Sequence, residues 1–255
     1  MRILMVGDVI GKPGRNAISV LLPELREKHS IDLIVANGEN AAGGIGLTPD
    51  TAQEFFQSGV NVITSGNHIW HHKELLPYLE SEPRVLRPLN MPPGVPGQGY
   101  VIIEKVMVVS LLGRVFIGPF DCPFRAMDQL LEEINPRPPI ILVDFHAEAT
   151  AEKVALGWYL DGRVSAVLGT HTHVGTIDFR VLPKGTAFVS DVGMVGAIDS
   201  VIGDDIDSVI ERFLTLMPHR LSVGKGNTMF NSVLVDVEED SGKAVSISRL
   251  DLELT

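Results

Sequence analysis

Residues 2–15 read RILMVGDVIGKPGR, a short apolar run followed by glycines and a proline. The apolar part, Arg2–Gly7, predicts a buried strand that ends at Asp8. From Arg15 to Lys28 apolar residues recur at helical spacing, which predicts a helix. A strand, a polar loop and an amphipathic helix in succession form the repeating unit of α/β proteins.

The same unit recurs in the residues that follow. Asp32–Ala36 reads as a second strand, and the glycine-rich loop NGENAAGGIG comes after it. Thr48, followed by Pro49, is a typical helix start, and the predicted helix runs to about Ser58. Val60–Thr64 is a third strand, followed by the polar loop SGNHIWHH. This alternation predicts parallel or mixed strands.

The rest of the chain supplies further strands. They are the predicted hairpin Tyr100–Glu104 and Val106–Leu112, the strands Ile140–Asp144, Val164–Leu168 and Thr186–Val189, and a closing pair, Ser232–Glu238 and Ala244–Leu252. A helix with Glu148, Glu152 and Lys153 on its polar side is expected after Ile140–Asp144. No fixed-period repeat or clear linker is present, so we expect one domain over residues 1–255, built from two packed sheets.

Two glycine-rich segments have no evident core role. Asp191–Asp207 is acidic, and it reads as a loop over a site, as a surface for self-association, or as a solvated connection into a helix near Ile206–Met217. Pro88–Gly99 is a second candidate for an exposed lid or a subunit contact. A homo-oligomer is therefore left open.

Composition narrows the class of protein. The 255 residues are 45 % apolar and carry a net charge of −11, which disfavours a broad nucleic-acid footprint. The single cysteine, Cys122, excludes an intrachain disulfide and a thiolate metal cluster. No run of about eighteen apolar residues occurs, so no membrane span is expected. These features together predict a cytoplasmic protein.

Polar residues recur where the apolar strands stop. They are Asp8, the stretch Asn37–Asn40, Asn67 with His68, Asp144 with His146, and His171 with His173. Ligands of α/β proteins bind beyond the carboxyl ends of the strands, so these side chains are expected at one edge. Nitrogen and oxygen donors without sulfur suit transition metals, and the set exceeds what one tetrahedral ion needs. Two ions bridged by Glu39 would clamp the oxygens of a phosphoryl transfer.

The motifs Gly7-Asp8, Gly38-Glu39-Asn40, Gly66-Asn67-His68, His146 and Gly169-Thr170-His171-Thr172-His173 occur in a recognisable order. The order resembles that of the calcineurin-like metallophosphoesterases, whose fold is a two-sheet α/β sandwich with mixed sheets flanked by helices. Ile10 stands where that superfamily has its first histidine, and Glu39-Asn40 replaces the usual bridging aspartate region. With the opening MRILMVGDVIGKPGR and the phrase ANGENAAGG, these departures resemble the YmdB-like branch.

The resemblance implies a role for each matching residue. Asp8, Glu39, Asn40 and His173 would hold one metal, with Asn40 compensating for the histidine missing at Ile10. Glu39, Asn67, His146 and His171 would hold the second. His68 would bind the phosphate and protonate the leaving oxygen. The implied reaction is hydrolysis of small phosphodiesters, including 2′,3′-cyclic nucleotides, by in-line attack of a metal-bound hydroxide.

Other functions stay open at this point. The same centre would serve a phosphomonoesterase or 5′-nucleotidase, and a mainly structural metal site would serve a regulatory protein. The resemblance suggests iron or manganese, whereas the spacing alone also permits zinc. The phosphate-loop motif G-x-x-x-x-G-K-[ST] and the G-x-S-x-G elbow are both missing, which disfavours a nucleoside-triphosphate loop and a serine hydrolase.

Overall fold

The computed structural model describes residues 1–255. In chain order the strands are β1 (Arg2–Ile10), β2 (Leu33–Asn40), β3 (Val62–Thr64), β4 (Tyr100–Ile103), β5 (Val106–Leu112), β6 (Ile140–His146), β7 (Ala166–Thr170), β8 (Arg180–Val181), β9 (Ala187–Val189), β10 (Met194–Ala197), β11 (Thr228–Phe230), β12 (Ser232–Val237), β13 (Ala244–Arg249) and β14 (Leu252–Leu254). The helices are α1 (Gly11–His29), α2 (Pro49–Gln57), α3 (Leu75–Ser81), α4 (Pro123–Glu133), α5 (Thr150–Leu160) and α6 (Ile206–Thr215).

Both sheets mix parallel and antiparallel pairs. In the first sheet β1 is central, and β2 pairs with it in parallel on one side. On the other side β12 pairs with the first part of β1 and β10 pairs with its end. The second sheet has the order β4-β5-β6-β7-β9-β8, in which β5, β6, β7 and β9 are parallel. Each sheet therefore has a parallel centre whose carboxyl ends lie side by side.

The molecule has four layers, in the order helices, sheet, sheet, helices. The middle core packs side chains of both sheets together, such as Met5 and Val35 from the first and Val108 and Leu142 from the second. Helices α1 and α2 cover the outer face of the first sheet. Helices α4 and α5 cover the outer face of the second. The expected two-sheet sandwich with flanking helices is confirmed, and the single-domain assignment stays a prediction.

Several element boundaries differ from the sequence-based ones. Helix α1 begins at Gly11 rather than at Arg15, and three strands extend further than predicted. β1 continues through Asp8 to Ile10, β2 continues to Asn40, and β6 continues to His146. Every residue of β2 is buried, its polar end included. The polar residues at these ends therefore belong to the strands. They can be buried because other buried polar groups take the place of water as their hydrogen-bond partners.

Two other expectations are corrected by the structure, and one helix was not predicted. Asp191–Asp207 is not one loop, because β10 within it pairs with β1 and β11. Glu152 and Lys153 are buried rather than on a solvated face of α5. Helix α4 follows Cys122 and was not predicted, because prolines flank its apolar residues. The hairpin β4–β5 and the closing pair β12–β13 are confirmed.

None of the helices combines the length and the apolar character that crossing a membrane requires.

Candidate metal centre

The seven predicted ligands and His68 lie together where the parallel strands of both sheets end. Asp8 Oδ1 is 3.6 Å from His146 Nδ1 and 3.9 Å from His173 Nε2. Glu39 Oε1 is 3.8 Å from His146 Nε2. His171 Nδ1 is 3.0 Å from His146 Nε2. The cluster thus joins residues that lie far apart in the chain.

Glu39 also organises the loop after β3. Its carboxylate accepts hydrogen bonds from the backbone N–H groups of Gly66 and His68, both at 2.5 Å. Asn67 lies between these two donors, and its Oδ1 atom is buried without a hydrogen-bond partner. A side chain at Gly66 would clash with the His146 ring, so only glycine lets the loop approach that histidine.

Hydrogen bonds fix which nitrogen of two histidines is free. His173 Nδ1 lies 2.7 Å from the carbonyl oxygen of Ile202, so it carries the proton and Nε2 keeps its lone pair. Thr170 donates its hydroxyl proton to Asp144 at 2.7 Å and therefore accepts from His146 Nδ1 at 3.0 Å. His146 Nε2 is then the free nitrogen, and it faces Glu39 and His171.

Asp144 is a buried carboxylate that sequence reasoning noted but did not assign to the site. It accepts hydrogen bonds from Thr64, Thr170 and Asn37, which belong to β3, β7 and β2. Burial raises its pKa to about 6. The network links both sheets and positions Thr170 behind His146. Its signal in the sequence was an acidic residue two positions before His146 in an apolar strand.

Lys153 and Asp191 form a buried ion pair behind the site, which was not predicted from the sequence. The Nζ atom of Lys153 lies 2.6 Å from Asp191 Oδ2 and donates to the Thr170 carbonyl at 2.8 Å. Asp191 also accepts from the backbone N–H and hydroxyl of Thr172. His171 and His173 have positive φ values of 103° and 66°, which L-residues rarely adopt. The ion pair therefore holds a strained loop that carries two predicted ligands.

The residues present fit a metal centre. Asp8 Oδ1 and Asn67 Oδ1 are buried oxygens without a hydrogen-bond partner, and such atoms are costly unless something binds them. Donor atoms on one ion with bonds of about 2.0–2.2 Å lie about 3 Å apart or slightly more. The 3.0 Å separation of His171 Nδ1 and His146 Nε2 has this value. Nitrogen and oxygen donors of this kind suit zinc, iron or manganese.

Asn40 is the predicted ligand whose orientation fits least. Its Nδ2 atom lies 2.9 Å from His173 Nε2, so the amide donates to the nitrogen that would bind a metal. An amide nitrogen is not a metal ligand, and Oδ1 would have to replace it. Rotation of the amide by half a turn exchanges the two atoms.

Burial shifts the pKa values of the cluster towards the neutral form of each group. It raises the pKa of Glu39 to about 8, and together with Asp191 it raises that of Asp8 well above its usual range. Burial also lowers the pKa values of His146, His171 and His173. The imidazoles are therefore neutral near pH 7, as metal ligands must be. The buried acids tend to hold a proton, which a bound cation would displace.

His68 lies beside the cluster rather than inside it. Its Nδ1 is 3.2 Å from Glu39 Oε1 without hydrogen-bond geometry, and 37 % of its side chain is exposed. Burial and the neighbouring His171 lower its pKa. The ring lines a cavity of about 740 Å³ that also contains Glu39, His171 and His173.

Three histidines that were not assigned to the site line the same cavity. His71 and His72 lie in the loop before α3, which begins at Leu75. His219 follows α6 and lines the cavity wall. None of these contacts was visible in local spacing, because they depend on where distant loops fold.

Comparison with known proteins identifies the family once this geometry is established. A sequence model of YmdB-like proteins matches residues 4–250, nearly the whole chain. The chain belongs to the YmdB-like family. The resemblance inferred from the motifs is thus confirmed.

Similar proteins of known sequence or structure match the chain over nearly its whole length. A 2′,3′-cyclic-nucleotide 2′-phosphodiesterase of Bacillus subtilis (strain 168) is 46 % identical over 254 residues, which are 98 % of this chain and 96 % of the relative. A protein of Thermus thermophilus, described as hypothetical, superposes with a TM-score of 0.93 at 45 % identity, covering 99 % of both chains. A structure described as a novel phosphatase from Mycoplasma pneumoniae has a TM-score of 0.93 at 33 % identity, covering 99 % of this chain and 93 % of that one.

Proposed function

We propose that this protein is a metal-dependent phosphodiesterase that hydrolyses small diesters such as 2′,3′-cyclic nucleotides. The enzyme class itself, a phosphodiesterase, follows from the Bacillus subtilis relative at 46 % identity over 98 % of the chain. The observation that carries the metal dependence is the pair of orphaned oxygens, Asp8 Oδ1 and Asn67 Oδ1, among neutral imidazoles. A cation at each of these oxygens would satisfy it and would offset the buried carboxylates.

We assign the donors to two sites that share Glu39. Asp8, Asn40 and His173 complete one site, and Asn67, His146 and His171 complete the other. When bound, the ions supply positive charge for the phosphoryl oxygens and lower the pKa of water. Iron or manganese is our proposal for the metal, and zinc is compatible with the donor set.

His68 handles the proton of the departing oxygen in this proposal. Hydrolysis adds water across one P–O bond, and the ribose oxygen that leaves takes up a proton. His68 directs Nδ1 at Glu39, which leaves Nε2 for the substrate. The ring lines the open cavity, within reach of a substrate oxygen.

A phosphomonoesterase is the second candidate, because the structurally similar Mycoplasma pneumoniae protein is described as a phosphatase. A monoester presents two charges and a diester presents one, so the two reactions place different demands on the same centre. Cytoplasmic location and self-association remain predictions from the sequence.

The test compares a diester with its monoester product at equal concentration. Purified protein is chelated, dialysed and reloaded with Mn²⁺, Fe²⁺ or Zn²⁺, and is then assayed on adenosine 2′,3′-cyclic phosphate and adenosine 3′-phosphate. We expect turnover of the diester that disappears on chelation and returns on reloading. Faster turnover of the monoester would favour the second candidate, and diester turnover that is unaffected by chelation would contradict the metal dependence.

A further inference from the structure

The catalytic cavity has a wall that the proposed chemistry does not use. Arg212 lies on α6, and His219 and Arg220 follow that helix, so one segment supplies all three cavity residues. A cavity of about 740 Å³ is in the range of whole ligands rather than of a single phosphate. Substrate parts remote from the reacting phosphorus therefore have room to reach this wall.

Both arginines of the wall lack a partner within the chain. Neither guanidinium makes a side-chain hydrogen bond or an ion pair, whereas Arg15, Arg163 and Arg249 each contact a carboxylate at 2.5–2.6 Å. Arg212 and Arg220 are exposed in a protein of net charge −11. An unpaired guanidinium fork presents parallel N–H donors that match phosphate oxygens.

Three acidic residues line the same cavity: Glu39 belongs to the metal centre, Glu148 Oε2 lies 3.0 Å from His171 Nε2, and Asp204 is the third. Asp204 lines the cavity, and His173 and Arg212 oppose the rise in its pKa that burial causes. His219 Nε2 lies 3.5 Å from Glu211 Oε1, and Glu211 makes no ion pair with either arginine. Arg220 remains as a cation with no acid beside it, and Arg212 is only partly offset.

We propose that Arg212 and Arg220 bind a second phosphate of the substrate, located 5′ to the nucleoside whose cyclic phosphate occupies the metal centre. The inference rests on the proposed function. A 2′,3′-cyclic mononucleotide has one phosphate, which the metal centre takes, and leaves the two arginines without an anion. Substrates that use both are nucleotides with a 5′-phosphate or the 3′ ends of short RNA fragments. Two arginines recognise one added phosphate, which is consistent with the absence of a broad basic surface.

The experiment measures kcat/KM for three substrates under identical metal loading. They are adenosine 2′,3′-cyclic phosphate, the same compound with a 5′-phosphate, and the dinucleotide ApA ending in a 2′,3′-cyclic phosphate. We expect the wild type to prefer the two phosphate-bearing substrates by about tenfold, as one charge-assisted contact provides. A higher rate for the 5′-phosphate assigns the site to a terminal monoester, and a higher rate for the dinucleotide assigns it to an internucleotide linkage.

Substitutions locate the effect. Arg212→Ala and Arg220→Ala should each reduce the preference ratio severalfold, and the double variant should bring it to about one. Arg125→Ala, an exposed arginine on α4 without an ion pair, is the matched control and should keep the wild-type ratio. Melting temperatures check that each variant folds.

Two outcomes would overturn the inference. In the first, the wild type shows equal kcat/KM for all three substrates. In the second, the arginine variants lose activity equally on all three, which would place the arginines on the reacting phosphate instead. Failure of the wild type to hydrolyse any of the substrates would count against the proposed function itself, and is thus distinguishable.

Discussion

His68 and Glu39 are in contact, but we assign them different roles. Glu39 is almost fully buried and in contact with the ligand cluster, whereas the His68 ring lies partly in the open cavity. A change at His68 should therefore affect proton transfer and leave the ligands in place.

We predict that His68→Ala lowers kcat on a cyclic nucleotide by about 10²–10⁴-fold, the usual effect of losing a general acid. Metal content, measured by elemental analysis, should equal that of the wild type. His29→Ala, at the end of α1 and outside the cavity, serves as the control. Loss of metal from His68→Ala would show that His68 is a ligand and would contradict this division of roles.

Asp144 acts on the site through other residues. It accepts three side-chain hydrogen bonds from three strands, and Thr170 transmits its position to His146. An asparagine at this position would keep the shape of the side chain. One of its two acceptor oxygens would become an NH₂ donor, and that donor would face the hydrogen-bond donors that Asp144 accepts from.

We predict that Asp144→Asn destabilises the protein by about 1–3 kcal/mol in urea unfolding, because buried donors lose their acceptor. Metal affinity should fall by about 10–100-fold, the usual cost of removing an outer partner of a histidine ligand. Asp240→Asn, in the exposed turn between β12 and β13, should change neither quantity. Wild-type metal affinity in Asp144→Asn would show that the Asp144 hydrogen bonds do not support the metal centre.

At the residue scale the sequence predicted which residues lie together at the site, but it did not predict the residues that support them. Asp8, Glu39 and His146 could be predicted because each follows an apolar run within a motif. Lys153 and Asp191 could not, since the two are 38 positions apart and only the docking of α5 against the segment after β9 brings them together. A buried lysine in a helix looks the same in sequence as an exposed one.

At the scale of elements, the loop after β7 depends on this buried ion pair. Lys153 and Asp191 are each about 2 % exposed, and they hold Thr170 and Thr172 on either side of His171. Removing one partner leaves a buried charge without compensation.

We predict that Lys153→Met costs about 3–5 kcal/mol of unfolding free energy, as expected when a buried ion pair loses one member. Lys105→Met breaks an exposed pair with Glu239 and should cost far less, because solvent screens the two charges. Both are measured by urea denaturation of metal-free protein. A cost for Lys153→Met no larger than that for Lys105→Met would show that the pair does not hold the loop.

Strands were easier to predict than their ends. The apolar cores of β1, β2 and β6 follow directly from composition, but all three strands continue into polar residues. Those residues are buried by partners from the opposite sheet, as in the hydrogen bond between Asn37 and Asp144. Local sequence carries no information on such partners. β10 was missed for a related reason, since its glycine-rich segment becomes a strand only by pairing with β1.

For the whole molecule, the protonation of Glu39 links stability to pH and to metal. Its pKa is about 8 in the metal-free fold and 4.5 as a free side chain. The folded state therefore holds a proton between these values that the unfolded state releases. The contribution to stability is complete below pH 4.5 and is lost as pH rises towards 8.

A metal ion should reverse this trend, because it binds the ionised carboxylate and replaces the proton. We predict that the rise in melting temperature on adding Mn²⁺ is larger at about pH 8 than at about pH 6, because ligands must lose their protons to bind the ion. Glu39→Gln should show a smaller metal-dependent rise at both values. Calorimetry of chelated and loaded protein measures the difference, and a rise that is independent of pH would contradict the link to Glu39.

The acidic residues behind the net charge of −11 are not spread evenly over the folded molecule. Part of it, including Asp8, Glu39 and Asp144, is concentrated at the buried junction of the two sheets. Bound cations would offset these acids, and Arg212 and Arg220 add positive charge at the cavity wall. The acidic composition therefore disfavours extended nucleic acid while permitting a small phosphodiester.

Anomalous X-ray diffraction from crystals grown with Mn²⁺ tests most directly whether two ions share Glu39. We predict two anomalous peaks about 3.5–4 Å apart, the usual separation of two-metal sites. One peak should contact Asp8, Asn40 and His173, the other Asn67, His146 and His171, and both should contact Glu39. A single peak, or two peaks of which only one contacts Glu39, would contradict the account.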